Sequence, residues 1–291
     1  MKKKFHRVVV CLGVLAASLP VVACDVKVGD KGMSFDIAQG KAADEWTRTY
    51  TLAPGGLVEI ANVNGPILLS PANRPQVEVR VTREVRARSD EAAQQALAKL
   101  RIIEEVAPDR VHVESPRSLG DEFVGRVQVR TEYRVHVPAG LQISLKTENG
   151  EVRIENVAAA RIAASSTNGS VRGIGVSGPI EANTINGVVQ IDLEKVTGEI
   201  KATTVNGAVR LALPSGVDAE LDARAVNGGV NVDESLPFTA SEKARNRVSG
   251  RFGKGGPTII LSTTNGAIQV GPSRGGRSGE PVGIERELKE R

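Results

Sequence analysis

Arg153, Arg172, Gln190 and Arg210 recur at intervals of 19, 18 and 20 residues, each three positions after the glycine of an Asn-Gly dipeptide. A guanidinium group binds carboxylate or phosphate through two parallel hydrogen bonds. If the elements carrying these residues stack, the four form one polar stripe, continued by Asn231 and Gln269. Such a stripe suits an acidic polysaccharide or the acidic face of a partner protein. The competing reading is a solvated outer face, balanced by Glu155, Asp192 and Glu194.

Other patterns offer less chemistry. Gly173 to Gly178 matches G-x-G-x-x-G but runs into Pro179 and a strand, so no helix N-terminus awaits a pyrophosphate. Gly271 to Gly275 matches G-x-S-x-G, but no histidine follows it and the strand–elbow–helix setting is missing. Asn168-Gly169-Ser170 is a glycosylation sequon that reads more economically as part of a repeat. His112 and His136 sit on alternating strands at opposite parity to the neighbouring valines, which reads as two solvated side chains. A histidine metal site wants a third ligand, and the sequence points to none. The expectation is therefore no catalytic residue, no cofactor and no metal.

The elements that must position the stripe are legible as a repeat. Asn-Gly occurs seven times: Asn64-Gly65, Asn149-Gly150, Asn168-Gly169, Asn186-Gly187, Asn206-Gly207, Asn227-Gly228 and Asn265-Gly266. Asn-Gly favours a tight turn because both residues accept positive φ. Around it the chain reads [ILV]-x-[ILA]-x-[ST]-x-N-G-x-[VI]-x-[ILV], and period two on each side means strands with one buried face. From Asn149 onward the spacings are 19, 18, 20, 21 and 38 residues. A period near 20 signals a solenoid or an array of hairpins. Small residues recurring at one interior position, Ala164, Ala182, Ala202 and Ala223, favour the solenoid, because stacked equivalents give a layer of one thickness. The fold expected is all-β with a minor α+β insertion: a parallel β-solenoid of two or three faces. Each strand pairs with its equivalent one coil on, and the asparagines can bond up the column.

The N-terminus is a targeting segment. "MKKKFHR" is basic, and Val8 to Ala23 is apolar but short for a membrane span. Val21-Val22-Ala23-Cys24 resembles a bacterial lipobox, which implies cleavage before Cys24 and a lipid anchor on it; a plain secretory signal is the alternative. Asp25 weakly favours retention at the inner membrane, on its periplasmic face. Removing residues 1–23 lowers the basic residues from 38 to 34, against 34 acidic, so charge gives no argument for nucleic acid. With Cys24 lipidated, no thiol remains for a disulfide, a nucleophile or a metal.

Residues 24–45 read as a lipid-anchored tether and 46–138 as strands with an α+β elaboration covering one solenoid end. Ser89-Asp90-Glu91 opens a helix there, and residues 101–115 read as a strand pair turning at Pro108-Asp109. Residues 139–271 hold the solenoid repeats, and 272–291 a disordered tail. "SEKARNRVSGRFGKGG", inside the 38-residue spacing, reads as a degenerate coil or a surface loop.

Three features now carry a resemblance. They are the T-x-N-G-x-[VI] units, the Arg-rich strand and Ser-Asp-Glu helix followed by "VRTEYRVHVPAGLQISLKTENGEV", and the ending "GKGGPTIILSTTNGAIQV". Over residues 46–271 the chain resembles the bacterial "putative adhesin" family of β-strand-repeat envelope proteins, a domain of unknown function. The resemblance implies a β-solenoid that is often membrane-anchored, with no established catalytic residues. The function expected is a non-enzymatic envelope lipoprotein that binds an envelope protein or an acidic glycan. A structural or regulatory scaffold is the alternative, as a monomer or self-associating end to end.

Overall fold

The computed structural model describes residues 26–29, 32–35, 40–118 and 127–273. Residues 1–23, expected to be a signal, Cys24 and the tail from Arg274 lie outside the described residues. The chain divides into two units, Met1–Ala38 and Gln39–Arg291. In the first, β1 (Val26–Gly29) and β2 (Gly32–Phe35) pair antiparallel.

The second unit opens with β3 (Gly40–Tyr50), followed by β4 (Leu57–Asn64), β5 (Ile67–Pro71) and β6 (Val77–Ala87). Helix α1 (Asp90–Lys99) follows, then β7 (Ile103–Ala107), β8 (Arg110–Glu114) and β9 (Gln128–Val137). The repeats continue as β10 (Gln142–Asn149), β11 (Val152–Glu155), β12 (Arg161–Asn168), β13 (Val171–Ser177), β14 (Ile180–Asn186) and β15 (Val189–Lys195). After them come β16 (Ile200–Asn206), β17 (Val209–Leu213), β18 (Ala219–Asn227) and β19 (Val230–Val232). The described chain closes with β20 (Phe238–Ala244), β21 (Arg247–Phe252), β22 (Thr258–Asn265) and β23 (Ile268–Pro272).

Each repeat is one coil, with its first strand in one sheet and its second in another. The first sheet runs β20-β21-β18-β22-β16-β14-β12-β10-β4-β8-β7, and the second β19-β23-β17-β15-β13-β11-β5-β9-β6-β3. The solenoid therefore has two faces. Between the coils every pairing is parallel and, apart from a bulge late in β13, in register, so equivalent residues lie side by side. Val58, Ile143, Ile162, Ile180, Ile200, Ile259 and Leu221 form one buried row, none more than 6% exposed. The alanines Ala164, Ala182 and Ala202 are neighbours in the next row, with Leu261 between Ala202 and Ala223. Burying each Val, Ile or Leu contributes roughly 1.5–3 kcal/mol. An isolated coil has no neighbour against which to bury its face.

The coils do not stack in sequence order. The seventh coil, β22–β23, lies between the fifth and the sixth: β22 pairs with both β16 and β18, and β23 with both β17 and β19. This corrects the expectation that each strand meets its equivalent one coil on. The 38-residue interval supplies the length for the detour. Its middle is neither degenerate coil nor loop. β20 and β21 form an antiparallel hairpin that extends the first sheet beyond β18.

Two further boundaries move. β3 begins at Gly40, inside the segment read as tether, because its whole length pairs with β6. The Asn64 repeat, placed with the N-terminal strands, is a full coil: β4 pairs with β10, and β5 with β11. The elaboration proper comprises β3, β6, α1 and β7–β9, and it extends both sheets at that end. Helix α1 forms as read. Ser89 Oγ accepts from Ala92 N at 3.2 Å, acids occupy the first turn, and Ala93, Ala96 and Leu100 are buried. The scarce aromatics plug the stack ends. Tyr133 on β9 is opposite Ile67, and Phe252 on β21 packs 4.8 Å from Phe238.

The corners explain the glycines, although not through a left-handed asparagine. Among the described non-glycine residues only Asn156 has positive φ. The constraint is space. A Cβ on Gly150 would lie 2.0 Å from Gly65 O, one on Gly187 2.1 Å from Gly169 O, and one on Gly207 1.8 Å from Gly187 O. Gly207→Ala is therefore expected to cost at least about 1–3 kcal/mol. Gly271→Ala, with nothing within 4 Å, is expected to leave stability unchanged. Urea midpoints of the two variants check this.

Candidate functional site

The predicted stripe exists as a row. Arg153 is the register partner of Arg172, Arg172 of Gln190, and Gln190 of Arg210. Gln269 and Asn231 continue it past Arg210. In the other direction the row passes Leu68 to Arg134 and then Arg80. Those two arginines were missed because β6 and β9 carry no Asn-Gly marker. Alternation on these strands gave their parity, but only the register places them in the row.

The row is not a bare cationic surface. Arg153 Nη2 lies 2.6 Å from Glu155, Arg172 Nε 3.3 Å from Glu151, and Arg134 Nη2 2.7 Å from Glu132. Arg80 reaches Glu45 and Glu78, both at 3.4 Å. Arg210 makes no ion pair among the described residues; its Nε donates to Gln269 Oε1 at 3.3 Å. The arginine side chains in the pairs remain 40–56% exposed. Exposed pairs of this kind contribute about 0.2–1 kcal/mol each, so a ligand oxyanion can exchange with the resident carboxylate.

The asparagines form a complete ladder along the corner. Asn149 Nδ2 donates to Asn64 Oδ1 at 2.9 Å, Asn168 to Asn149 at 2.8 Å, Asn186 to Asn168 at 2.8 Å and Asn206 to Asn186 at 2.9 Å. Asn265 donates to Asn206 and Asn227 to Asn265, each at 2.8 Å. A second, inner ladder runs from hydroxyls to glycine carbonyls: Thr147 to Gly65 O, Ser166 to Gly150 O, Thr184 to Gly169 O, Thr204 to Gly187 O and Thr263 to Gly207 O. At the first coil Asn62 takes the hydroxyl's place, donating to Gly65 O and Thr131 O.

The histidines are half-buried rather than fully solvated. His136 Nδ1 lies 2.8 Å from Ser70 Oγ, beside a polar cleft of about 350 Å³ lined by Thr49, Asn73, Arg74, Gln76 and Glu78. His112 lies between Glu59 and Glu114, at 3.9 and 3.3 Å. Among the described residues no group of three His, Cys, Asp or Glu is placed to hold a metal. The G-x-G-x-x-G is structural: Gly175, at φ 63°, forms a bulge in β13, and Val176 fills the space left by the missing side chain of Gly173. Of the G-x-S-x-G, Arg274 and Gly275 lie outside the described residues. Burial raises the Tyr133 hydroxyl above its usual range, against a hydrogen bond with Ser115. Burial and the hydrogen bond to Glu104 raise that of Tyr50. Hydrogen bonds from Lys41 and Arg86 hold the Glu84 carboxyl below the usual range.

The profile of one family, Toastrack DUF4097, matches residues 63–271, the span of the stacked coils and most of the elaboration. The chain belongs to that family. The Toastrack chain is also similar to a crystal structure of a putative cell adhesion protein from Clostridium sporogenes, at 14% identity and TM-score 0.44, over 79% of this chain and 100% of that one. A putative adhesin from Bacteroides fragilis is similar at 10% identity and TM-score 0.30, over 79% of this chain and 97% of that one. A putative adhesin from Parabacteroides distasonis is similar at 10% identity and TM-score 0.25, over 78% of this chain and 97% of that one. No curated protein matches the chain. Among the described residues no helix is long and apolar enough to cross a membrane.

Proposed function

We propose that this Toastrack chain is a non-enzymatic binding module of the bacterial cell envelope, held to a membrane through lipid on Cys24. Its ligand is an acidic glycan or the acidic face of an envelope protein. The supporting observation is the in-register row that holds Arg153, Arg172 and Arg210 in one sheet. Neighbouring strands are ~4.8 Å apart, so the row offers an extended polyanion two adjacent guanidinium groups, Arg153 and Arg172, and a third, Arg210, beyond Gln190. The Arg153–Glu155 pair is exposed and weak, so its exchange with a ligand carboxylate costs little.

Capture by beads carrying a carboxylated polysaccharide, with neutral dextran as the control, tests the reading. The combined Arg153→Glu, Arg172→Glu and Arg210→Glu variant is expected to lose capture by about tenfold or more. Capture equal to that of the unmodified chain contradicts the arginine row as the binding face. The anchor is tested separately. Cys24→Ser is expected to move the protein from the membrane fraction to the soluble fraction, and unchanged fractionation refutes lipidation.

A second reading, a self-associating scaffold, is favoured by the sheet edges. All five residues of β7 are exposed, Ile103 by 46% and Val106 by 58%, and β20 at the opposite edge of the same sheet is exposed along most of its length. Unpaired strand edges template pairing with another chain. Sedimentation of the purified chain from residue 25 distinguishes the two. A concentration-dependent increase in mass supports the scaffold, and a monomer at all concentrations supports the binding module.

A further inference from the structure

The asparagine ladder has a direction. At every rung the amide nitrogen donates toward β4, so the two ends differ. Among the described residues Asn64 Nδ2 has no acceptor at one end, and Asn227 Oδ1 has no donor at the other. Hydrogen bonds in a chain polarise one another, so the aligned amides leave the Asn64 end rich in donors and the Asn227 end rich in acceptors.

The donor end lies beside β6 and β9. It opens into a cleft of about 560 Å³ lined by Asn64, Asn149, Gln128, Arg130, Arg86 and Glu84. Arg130 is exposed and makes no ion pair among the described residues. Among the described residues the one acid lining the cleft, Glu84, is already engaged, by Arg86 Nε at 2.8 Å and Lys41 Nζ at 3.0 Å. The cleft therefore gathers a free guanidinium, the terminal amide of a polarised ladder and a second amide from Gln128, with its carboxylate neutralised. None of this could be read from the repeat, because Gln128 and Arg130 lie on β9, outside it.

We propose that the cleft at the Asn64 end of the ladder binds an oxyanion, the carboxylate or phosphate group of a small ligand. Arg130 presents paired N–H donors to two oxygens, and the Asn64 and Gln128 amides supply further donors. The site is separate from the arginine row, so failure of either leaves the other standing.

The test is a titration of the full chain, followed through the side-chain amide NMR signals of its asparagines and glutamines. Sodium phosphate and sodium acetate are the two probes, with sodium chloride at matched ionic strength as the control. Saturable shifts of the Asn64 and Gln128 signals are expected, with Asn227 unmoved. Saturation by only one of the two anions supports the site and names its chemistry. Arg130→Ala is expected to weaken binding about tenfold, whereas Arg251→Ala, an exposed position on β21 near the other end of the stack, leaves it unchanged. No saturable shift with either anion overturns the proposal.

The direction of the ladder has its own readout. In Asn64→Asp the new carboxylate still accepts from Asn149 and fills the site itself. Stability is expected to hold while anion binding disappears. In Asn227→Asp a carboxylate oxygen opposes the Asn265 carbonyl. The melting temperature is expected to fall, and to recover as the pH drops below about 4 and the group becomes protonated. The reverse pattern, with Asn64→Asp destabilising and Asn227→Asp silent, shows that the ladder points the other way and overturns the proposal.

Discussion

At each corner of the solenoid, the α-carbon of one glycine lies against the carbonyl oxygen of the glycine in the next coil. The separations left for a side chain, 1.8 to 2.1 Å, are far inside any van der Waals contact. That close approach lets the backbone continue its hydrogen bonding around the corner. Gly150 N donates to Asn168 O, Gly187 N to Asn206 O, and Gly207 N to Asn265 O. Because the main chain bonds from coil to coil on both sheets and across the corner, register is set once and then inherited. The asparagine ladder outside the corner and the hydroxyl ladder inside it follow from that inheritance.

Register in turn turns composition into surface. A parallel stack shows the same position of every coil side by side, so a residue type that recurs in the repeat becomes a row in space. The buried rows are aliphatic and thin, which is why a chain with 3% aromatics holds a continuous core. The few aromatics are used where the repeat stops and the core would otherwise end open. On the outside the same rule aligns arginines with one another and sets acids beside them, giving a face that is regular and nearly balanced in charge.

The repeat was legible because its signals are local: Asn-Gly, alternation on both sides and an alanine at a fixed offset. The order of the coils was not. The strands of the Asn265 coil carry the same repeat pattern as their neighbours, and Leu261 where those have Ala202 and Ala223 does not by itself name a place in the stack. Their place is decided by what lies before them. The β20–β21 hairpin pairs along one side of β18 and leaves the other side to β22. The asparagine at each corner misled about φ, since its role is side-chain bonding along the column. The start of β3 was hidden for a similar reason. Its Asp44 and Arg48 break the alternation, and the strand is held by pairing with β6, a partner far away in sequence. Of the candidate site, the stripe and Glu155 as a balancing acid were legible, but the partners were not: Glu151, which pairs with Arg172, acquires meaning only once the side chains are placed.

The claim on which the account depends is in-register stacking with the last coil set between the fifth and sixth. Disulfide formation between engineered cysteines tests it directly, in a chain whose own two cysteines are replaced. Ile260 is the register partner of both Lys201 and Asp222. Adjacent strands are within the ~4.4–6.8 Å that a disulfide spans between α-carbons, and alternate strands are beyond it. The account predicts that Ile260→Cys cross-links with Lys201→Cys, and in a separate variant with Asp222→Cys, while the Lys201→Cys and Asp222→Cys pair stays reduced. Ready cross-linking of that last pair, with Ile260→Cys inert, would mean the coils stack in sequence order and would contradict it.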